Sequence, residues 1–210
     1  MTGFSKGARG ASVKSGLILI TLATFNFKRK TTMSLDNVTP GKNVPDAFNV
    51  IIEIPMNADP VKYEVDKATG AIFVDRFMST SMHYPTNYGY VPKTISGDGD
   101  PVDVLVITPV PLIPGVVVTC RPIGILKMQD EAGDDGKVLA VPTDKILSIY
   151  SQWKKPEDLN PLRLKTIAHF FEHYKDLEVG KWVKILGWED AESARKEIMD
   201  GIANYQRLHP

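Results

Sequence analysis

The feature that most restricts the fold is the close spacing of short apolar runs between Phe48 and Val141, each ended by proline, glycine or an acidic turn. Phe48–Ile54 reads as a strand stopped by Pro55. Lys62–Val65 and Ala71–Phe77 flank the turn Lys67-Ala-Thr-Gly70 and predict a hairpin. Further strands are expected at Val102–Thr108, Val116–Pro122, Gly124–Met128 and Lys137–Val141. The stretch Met78–Pro92, with Tyr84-Pro85 and Asn87-Tyr-Gly-Tyr90, reads as turns. Runs this close leave no room for helical crossovers, so the pattern points to an antiparallel barrel and away from βαβ units.

The helices come late. Asn160-Pro161 is an N-cap followed by proline at the first helical position. Leu164, Ile167, Ala168 and Phe171 then share one helical face. Lys181–Leu186 returns to strand, and Asp190 caps a last amphipathic helix through Ala194, Ile198, Ile202 and Tyr205. The class is α+β, a small barrel with helices packed outside it.

With 210 residues and 43% of them hydrophobic, the chain can build one sizeable core. The single cysteine, Cys120, excludes an internal disulfide framework and a Cys-rich zinc site. The formal net charge of zero conceals an asymmetry, because the first 35 residues hold six basic residues and no acid. The remainder is therefore acidic, a poor partner for nucleic acid. Met1–Thr32 reads as an extension outside the fold: a start placed upstream of a true Met33, an organelle-targeting or secretory segment, or a disordered tail. Its apolar run Leu17–Ala23 is too short to span a membrane. The domain proper is set at 33–210.

Three carboxylates fall within six residues at Asp98-Gly-Asp-Pro-Val-Asp103. Crowded carboxylates repel one another, and a hard divalent cation with oxygen ligands offsets the repulsion. A solvated turn is the plain alternative, since Asp and Gly are turn formers. Glu53 interrupts an apolar strand; it either faces solvent or serves a site. Asp130-Glu-Ala-Gly-Asp-Asp-Gly-Lys137 is a second acidic stretch, which also reads as an ordinary hairpin loop. Each signal is weak alone, but together they suit a small polyphosphate. Asp98, Asp100, Asp103, Asp130, Asp135 and Glu53 would supply metal ligands and a base. Lys62, Arg76, Lys137 and Lys175 would hold phosphate oxygens, with Tyr88 and Tyr174 as neutral donors.

Two other readings compete. His169-Phe-Phe-Glu-His173 satisfies the pattern of inverted zinc peptidases, given a third ligand from Glu189, Glu192 or Glu197. The tyrosines from Tyr84 to Tyr90 could be stacking platforms of a non-catalytic barrel that binds single-stranded nucleic acid. The first leaves both acidic stretches without a purpose, and the second places carboxylates where a basic groove belongs.

The chain closely resembles the soluble family I inorganic pyrophosphatases, from about Ser34 onward and in register. Asp98-Gly-Asp-Pro-Val-Asp-Val104 fits that family's signature. Ile52–Pro55, Lys62–Glu64, Val74–Arg76, Tyr84–Tyr90, Lys127–Gly133 and His169–Lys175 look like its other blocks. The resemblance implies an OB-like five-stranded barrel with flanking helices, and hydrolysis of inorganic pyrophosphate by a metal-bound hydroxide attacking in line. It implies several Mg²⁺ per subunit, with Mn²⁺ or Zn²⁺ able to substitute and Ca²⁺ inhibitory. It assigns Asp98, Asp103 and Asp135 to the tighter metal, Asp103 bridging to a second, and Asp130, Asp135 and Glu53 to further ions. Asp100 becomes the general base. Lys62, Arg76, Lys137, Tyr174 and Lys175 clamp the phosphoryl groups with Tyr88 beside them, while Glu64 and Tyr84 line the site. Asp135 is chosen over Asp134 because it lies two residues before Lys137. The compact length resembles the prokaryotic type, which implies a homohexamer in the cytoplasm, with no nucleic-acid or membrane partner; a genuine targeting segment would redirect it to an organelle.

Overall fold

The structure, a computed structural model, describes Gly3, residues 35–66 and residues 69–209. The expectations for residues 1–32 lie outside the described residues apart from Gly3, whose placement tests none of them. In Met33–Pro210 the strands run β1 (Phe48–Ile54), β2 (Val61–Val65), β3 (Ile72–Phe77), β4 (Asn87–Tyr90), β5 (Asp103–Val106), β6 (Val117–Asp130) and β7 (Gly133–Pro142). Helix α1 (Pro161–His173), strand β8 (Val183–Glu189) and helix α2 (Ala191–Leu208) follow. The main sheet has the order β1-β4-β5-β7-β6-β8, and β6 also pairs with β1. That extra pairing closes β1, β4, β5, β7 and β6 into a barrel, with β8 added outside it. The closed barrel and the late helices agree with the α+β reading. One pairing is not antiparallel: β5 and β7 run parallel, with Asp103 beside Lys137.

Two local expectations are corrected. Asn87–Tyr90 is a central strand and not a turn. Its glycine marks a close approach, since a Cβ on Gly89 would lie 2.0 Å from the Ile51 carbonyl oxygen of β1. Asn87 is fully buried there and accepts from the N–H groups of Met56 (3.1 Å) and Leu112 (2.8 Å) while donating to Thr108 Oγ1 (2.7 Å). The second correction joins Val116–Pro122 and Gly124–Met128 into one strand. Pro122 and Gly124 bend it at a bulge without ending it. The same extension turns most of the Asp130–Lys137 loop into strand, leaving only Glu131 and Ala132 between β6 and β7.

β5 and β7 are buried on both faces, so they read as unbroken apolar runs. Val104, Val106, Val138 and Ala140 join Phe48, Val50 and Ile52 in a core under Ala194 and Ile198 of α2. Leu105, Ile107, Leu139 and Val141 join Leu126 and Met128 in a second core under Ile167, Phe170 and Phe171 of α1. Both helices start as their sequences predict: Asn160 accepts from the Leu162 N–H at 2.8 Å, and Asp190 from the Ser193 N–H at 2.9 Å.

Candidate active site

Strand alternation carries charge to the α1 end of the barrel. On β5, Asp103 shares a face with Leu105 and Ile107; on β7, Asp135 and Lys137 share a face with Leu139 and Val141. Parallel register sets Asp103 against Lys137. Lys137 Nζ donates to Asp103 Oδ2 at 2.5 Å and to Asp135 Oδ1 at 2.7 Å, with the lysine only 4% exposed. Burial alone would lower the Lys137 pKa, but Asp103 and Asp135 outweigh it and hold the ammonium charged well above its ordinary range. Asp134 points to the other face and accepts from Gln129. The doublet is thus divided between the two sides of β7.

The remaining groups arrive from four other places. Glu53 of β1 is buried and accepts from the Val65 N–H at 2.8 Å. Burial pushes its carboxyl up to about 8; the Val65 bond and Lys62 pull it down, and Asp103 and Glu64 push it further up. Asp98 and Asp100 stand on the turn before β5, where the Asp100 N–H donates to Asp98 Oδ1. Asp98 is also raised, first by burial and then by Asp135 and Asp103. Asp130 ends β6 and takes a 2.7 Å hydrogen bond from Lys175 Nζ, just beyond α1. Burial would raise Asp130, but Lys175 and the Ala132 N–H outweigh it and hold the carboxyl below its usual range.

The β2–β3 hairpin supplies a cationic edge. Lys62 and Arg76 are register partners, a like-charge pair that costs stability unless neutralised. Glu64 pairs with Lys62, and Asp75 lies 3.6 Å from Lys62 and 3.4 Å from Arg76. Arg76 Nε is buried without a hydrogen-bond partner, 3.7 Å from an equally unpartnered Glu178 Oε1. Tyr84, Tyr88 and Tyr174 form the floor, Tyr84 against Tyr88 and all three packed on Phe170 or Phe171. Most of these groups line one cavity of about 260 Å³. Every residue singled out from the sequence is on its wall: Glu53, Lys62, Glu64, Arg76, Tyr84, Tyr88, Asp98, Asp100, Asp103, Asp130, Asp135, Lys137, Tyr174 and Lys175. Tyr90 and Lys181 line it as well and were missed. Tyr90 follows Tyr88 at strand spacing, a signal hidden by reading that stretch as turn.

The donor set is all oxygen, which suits a hard divalent cation and not a thiolate or imidazole metal. Among the described residues no three carboxylate or imidazole side chains converge on one point at coordinating distance. Asp103 and Asp135 converge instead on the Lys137 ammonium, which stands where a cation's charge would otherwise serve. The competing readings fare differently. The His169 and His173 rings lie 4.5 Å apart between centroids with their planes tilted by 55°, and His173 Nδ1 bonds Asp176 at 2.8 Å. Glu197, one of the three proposed third zinc ligands, binds Ser96 and Lys127 instead. Tyr84 and Tyr88 are buried in the floor, so they offer no open ring for a base.

Barrel and cavity together define a class: OB-like barrel proteins whose mouth gathers carboxylates and cationic side chains on the wall of one cavity. The sequence profile of the inorganic pyrophosphatase family matches residues 50–206. The chain is 62% identical over 175 residues to the inorganic pyrophosphatase of Vibrio vulnificus, covering 83% of this chain and 98% of that one. It is 61% identical over 175 residues to the Escherichia coli inorganic pyrophosphatase, with the same coverage. The solved inorganic pyrophosphatase of Coxiella burnetii superposes with a TM-score of 0.77 at 56% identity, covering 80% of this chain and 99% of that one. The chain belongs to the inorganic pyrophosphatase family, which uses a divalent metal cofactor.

Proposed function

We propose that this chain hydrolyses inorganic pyrophosphate to two orthophosphates with Mg²⁺ as its cofactor. The observation that carries the reading is the single cavity in which seven carboxylates meet Lys62, Arg76, Lys137 and Lys175. Carboxylates and a polyphosphate repel one another, so they share a site only with cations between them. Asp98, Asp103 and Asp135 would hold the tighter ion, and Asp130, Asp135 and Glu53 those that arrive with substrate. Bound Mg²⁺ would lower the pKa of water and neutralise charge developing on the phosphoryl oxygens. Mn²⁺ or Zn²⁺ would substitute, and Ca²⁺ would inhibit by occupying the same ligands in a looser geometry.

The chain's own groups divide the rest of the work. Asp100, exposed at the cavity rim, would take the proton of the attacking water. Lys62 and Arg76 approach from the hairpin, Lys175 and Tyr174 from the end of α1, so the two phosphoryl groups would be gripped by two separate elements. Tyr88 would add a neutral donor beside them, with Glu64 and Tyr84 shaping the wall. Arg76 Nε has no hydrogen-bond partner among the described residues and would gain one on a phosphate oxygen. Lys137 would exchange its carboxylate partners for phosphate as divalent cations take over Asp103 and Asp135.

The proposed assembly is a homohexamer acting in the cytoplasm. Large apolar side chains exposed on β3, including Phe73 and Phe77 (55% and 78%), support self-association. No helix among the described residues is long and apolar enough to cross a membrane. Phosphate release from pyrophosphate tests the function: it should require Mg²⁺, stop with chelator, and nearly vanish in Asp100→Asn. A folded protein that releases no phosphate with saturating Mg²⁺ would sink the proposal.

A further inference from the structure

The turn that bears Asp98 and Asp100 is not self-supporting. Thr94 closes its base, donating to the Val91 carbonyl at 2.6 Å and accepting from the Val102 N–H at 2.9 Å. Above that, the Ser96 N–H reaches the Asp100 carbonyl at 2.7 Å and the Gly99 N–H the Ser96 carbonyl at 3.2 Å. These local bonds fix the turn's shape but not its place over the barrel mouth. Apart from the Val91 N–H on the Val102 carbonyl (2.9 Å), its other hydrogen-bond partners among the described residues come from α2, more than ninety residues later in the chain.

Three residues of α2 meet the turn, at positions 197, 201 and 204, which share one helical face. Glu197 Oε1 accepts from Ser96 Oγ at 2.8 Å, and its second oxygen lies 3.4 Å from Lys127 Nζ on β6. The Gly201 carbonyl accepts from the Ile95 N–H at 3.0 Å, and Asn204 Nδ2 donates to the Ile95 carbonyl at 3.1 Å. Glycine in a helix interior is unfavourable and calls for a reason. Here the reason is contact: a Cβ on Gly201 would lie 2.5 Å from Val102 Cγ2 and 3.2 Å from Thr94 Cβ. Those are the two residues at the turn's base. Any side chain at 201 would therefore press on the base of the turn.

We infer that the Glu197–Gly201–Asn204 face of α2 is the seat that positions Asp98 and Asp100. The inference rests on the proposed function, since it assigns the seat a purpose through the carboxylates it aims. Glu197 acts through Ser96, with Lys127 fixing the Glu197 carboxylate from the barrel side. Gly201 sets the height of the turn, and Asn204 its tilt through the Ile95 peptide. None of these residues lines the cavity, so none touches substrate.

Calorimetric titration of Mn²⁺ into metal-free protein tests the seat without depending on turnover. Ser96→Ala and Gly201→Ala should weaken the tightest cation site about tenfold or more, as losses in the shell behind metal ligands do. The KM for pyrophosphate at saturating metal should not move, and kcat should recover as metal is raised. Glu197→Gln should keep most of the wild-type affinity, because its amide oxygen still accepts from Ser96. Ser96→Ala combined with Glu197→Ala should be no worse than the weaker single variant. Variants that fold and bind Mn²⁺ as tightly as wild type would overturn the seat; so would additive losses in the double variant. Should Gly201→Ala fail to fold, Ser96→Ala decides alone. Wild-type protein that binds no divalent cation would instead sink the function itself, a result distinguishable from failure of the seat.

Discussion

Replacing Glu53 with glutamine should remove part of the protein's pH dependence of stability. The Glu53 carboxyl titrates near 8 in the fold against an ordinary value of 4.5, chiefly because it is buried. A carboxyl whose pKa is raised by folding favours the folded state while protonated. Its contribution is therefore fully present below pH 4.5 and is lost as pH rises towards 8. At about 1.36 kcal/mol per unit, the loss amounts to about 5 kcal/mol, and water penetration would trim it to roughly 3–5 kcal/mol. Glu53→Gln removes the ionisation while its amide oxygen can still accept the Val65 N–H. The assay is urea unfolding followed by tryptophan fluorescence, in chelator, at one protein concentration, from pH 5 to 9. The quantity read is variant stability minus wild-type stability, in which other titrating groups cancel. It should be near zero or unfavourable to the variant at pH 5 and should climb by several kcal/mol in the variant's favour by pH 9. A difference that stays flat across this range would refute the burial argument.

Other outcomes follow from the same geometry. Asp100→Asn should lower phosphate release about 10²–10⁴-fold, as loss of a positioned base does, while Mn²⁺ titration still shows binding. Lys137→Met leaves Asp103 and Asp135 facing each other without the ammonium, so metal-free protein should lose about 3–5 kcal/mol. Divalent cation should restore much of that loss, and thermal melts with and without Mg²⁺ would show whether it does. Asn87→Ala strands the N–H groups of Met56 and Leu112 in the interior and should cost at least about 3 kcal/mol by urea unfolding. Its kcat in the surviving folded fraction should be near normal, because Asn87 lies away from the cavity.

Much of the site could be read before the fold was known, and particular residues show why. Asp98, Asp100 and Asp103 are neighbours in sequence, and alternation alone sends Asp103 to the same side as Leu105. Choosing Asp135 over Asp134 followed from the family resemblance, which sets an acid two residues before Lys137, and strand geometry then places the two acids on opposite faces. The failures have equally local causes. Asn87–Tyr90 looked like a turn because a glycine that admits a neighbouring strand is indistinguishable, in one sequence, from a glycine that bends the chain. The bulge at Pro122–Gly124 looked like a break for the same reason. The parallel β5–β7 pair was beyond reach, since pairing direction depends on how the chain returns and not on composition. Glu197 was weighed only as a zinc ligand, and Gly201 passed unnoticed although a glycine inside an amphipathic helix was a signal in plain view.

The parallel pair also has a kinetic meaning. Asp103 and Lys137 sit side by side only when β7 docks against β5, with the whole of β6 laid down between them. Such non-local contacts form after much loop entropy has been lost, and so late on the folding path. Divalent cations whose ligands come from both strands have little to hold until that step is complete. They should leave the refolding rate nearly untouched and slow unfolding in proportion to the stability they add. In that sense the proposed cofactor would act as a latch on a finished barrel, and depriving the protein of metal should shorten the lifetime of the fold without hindering its formation.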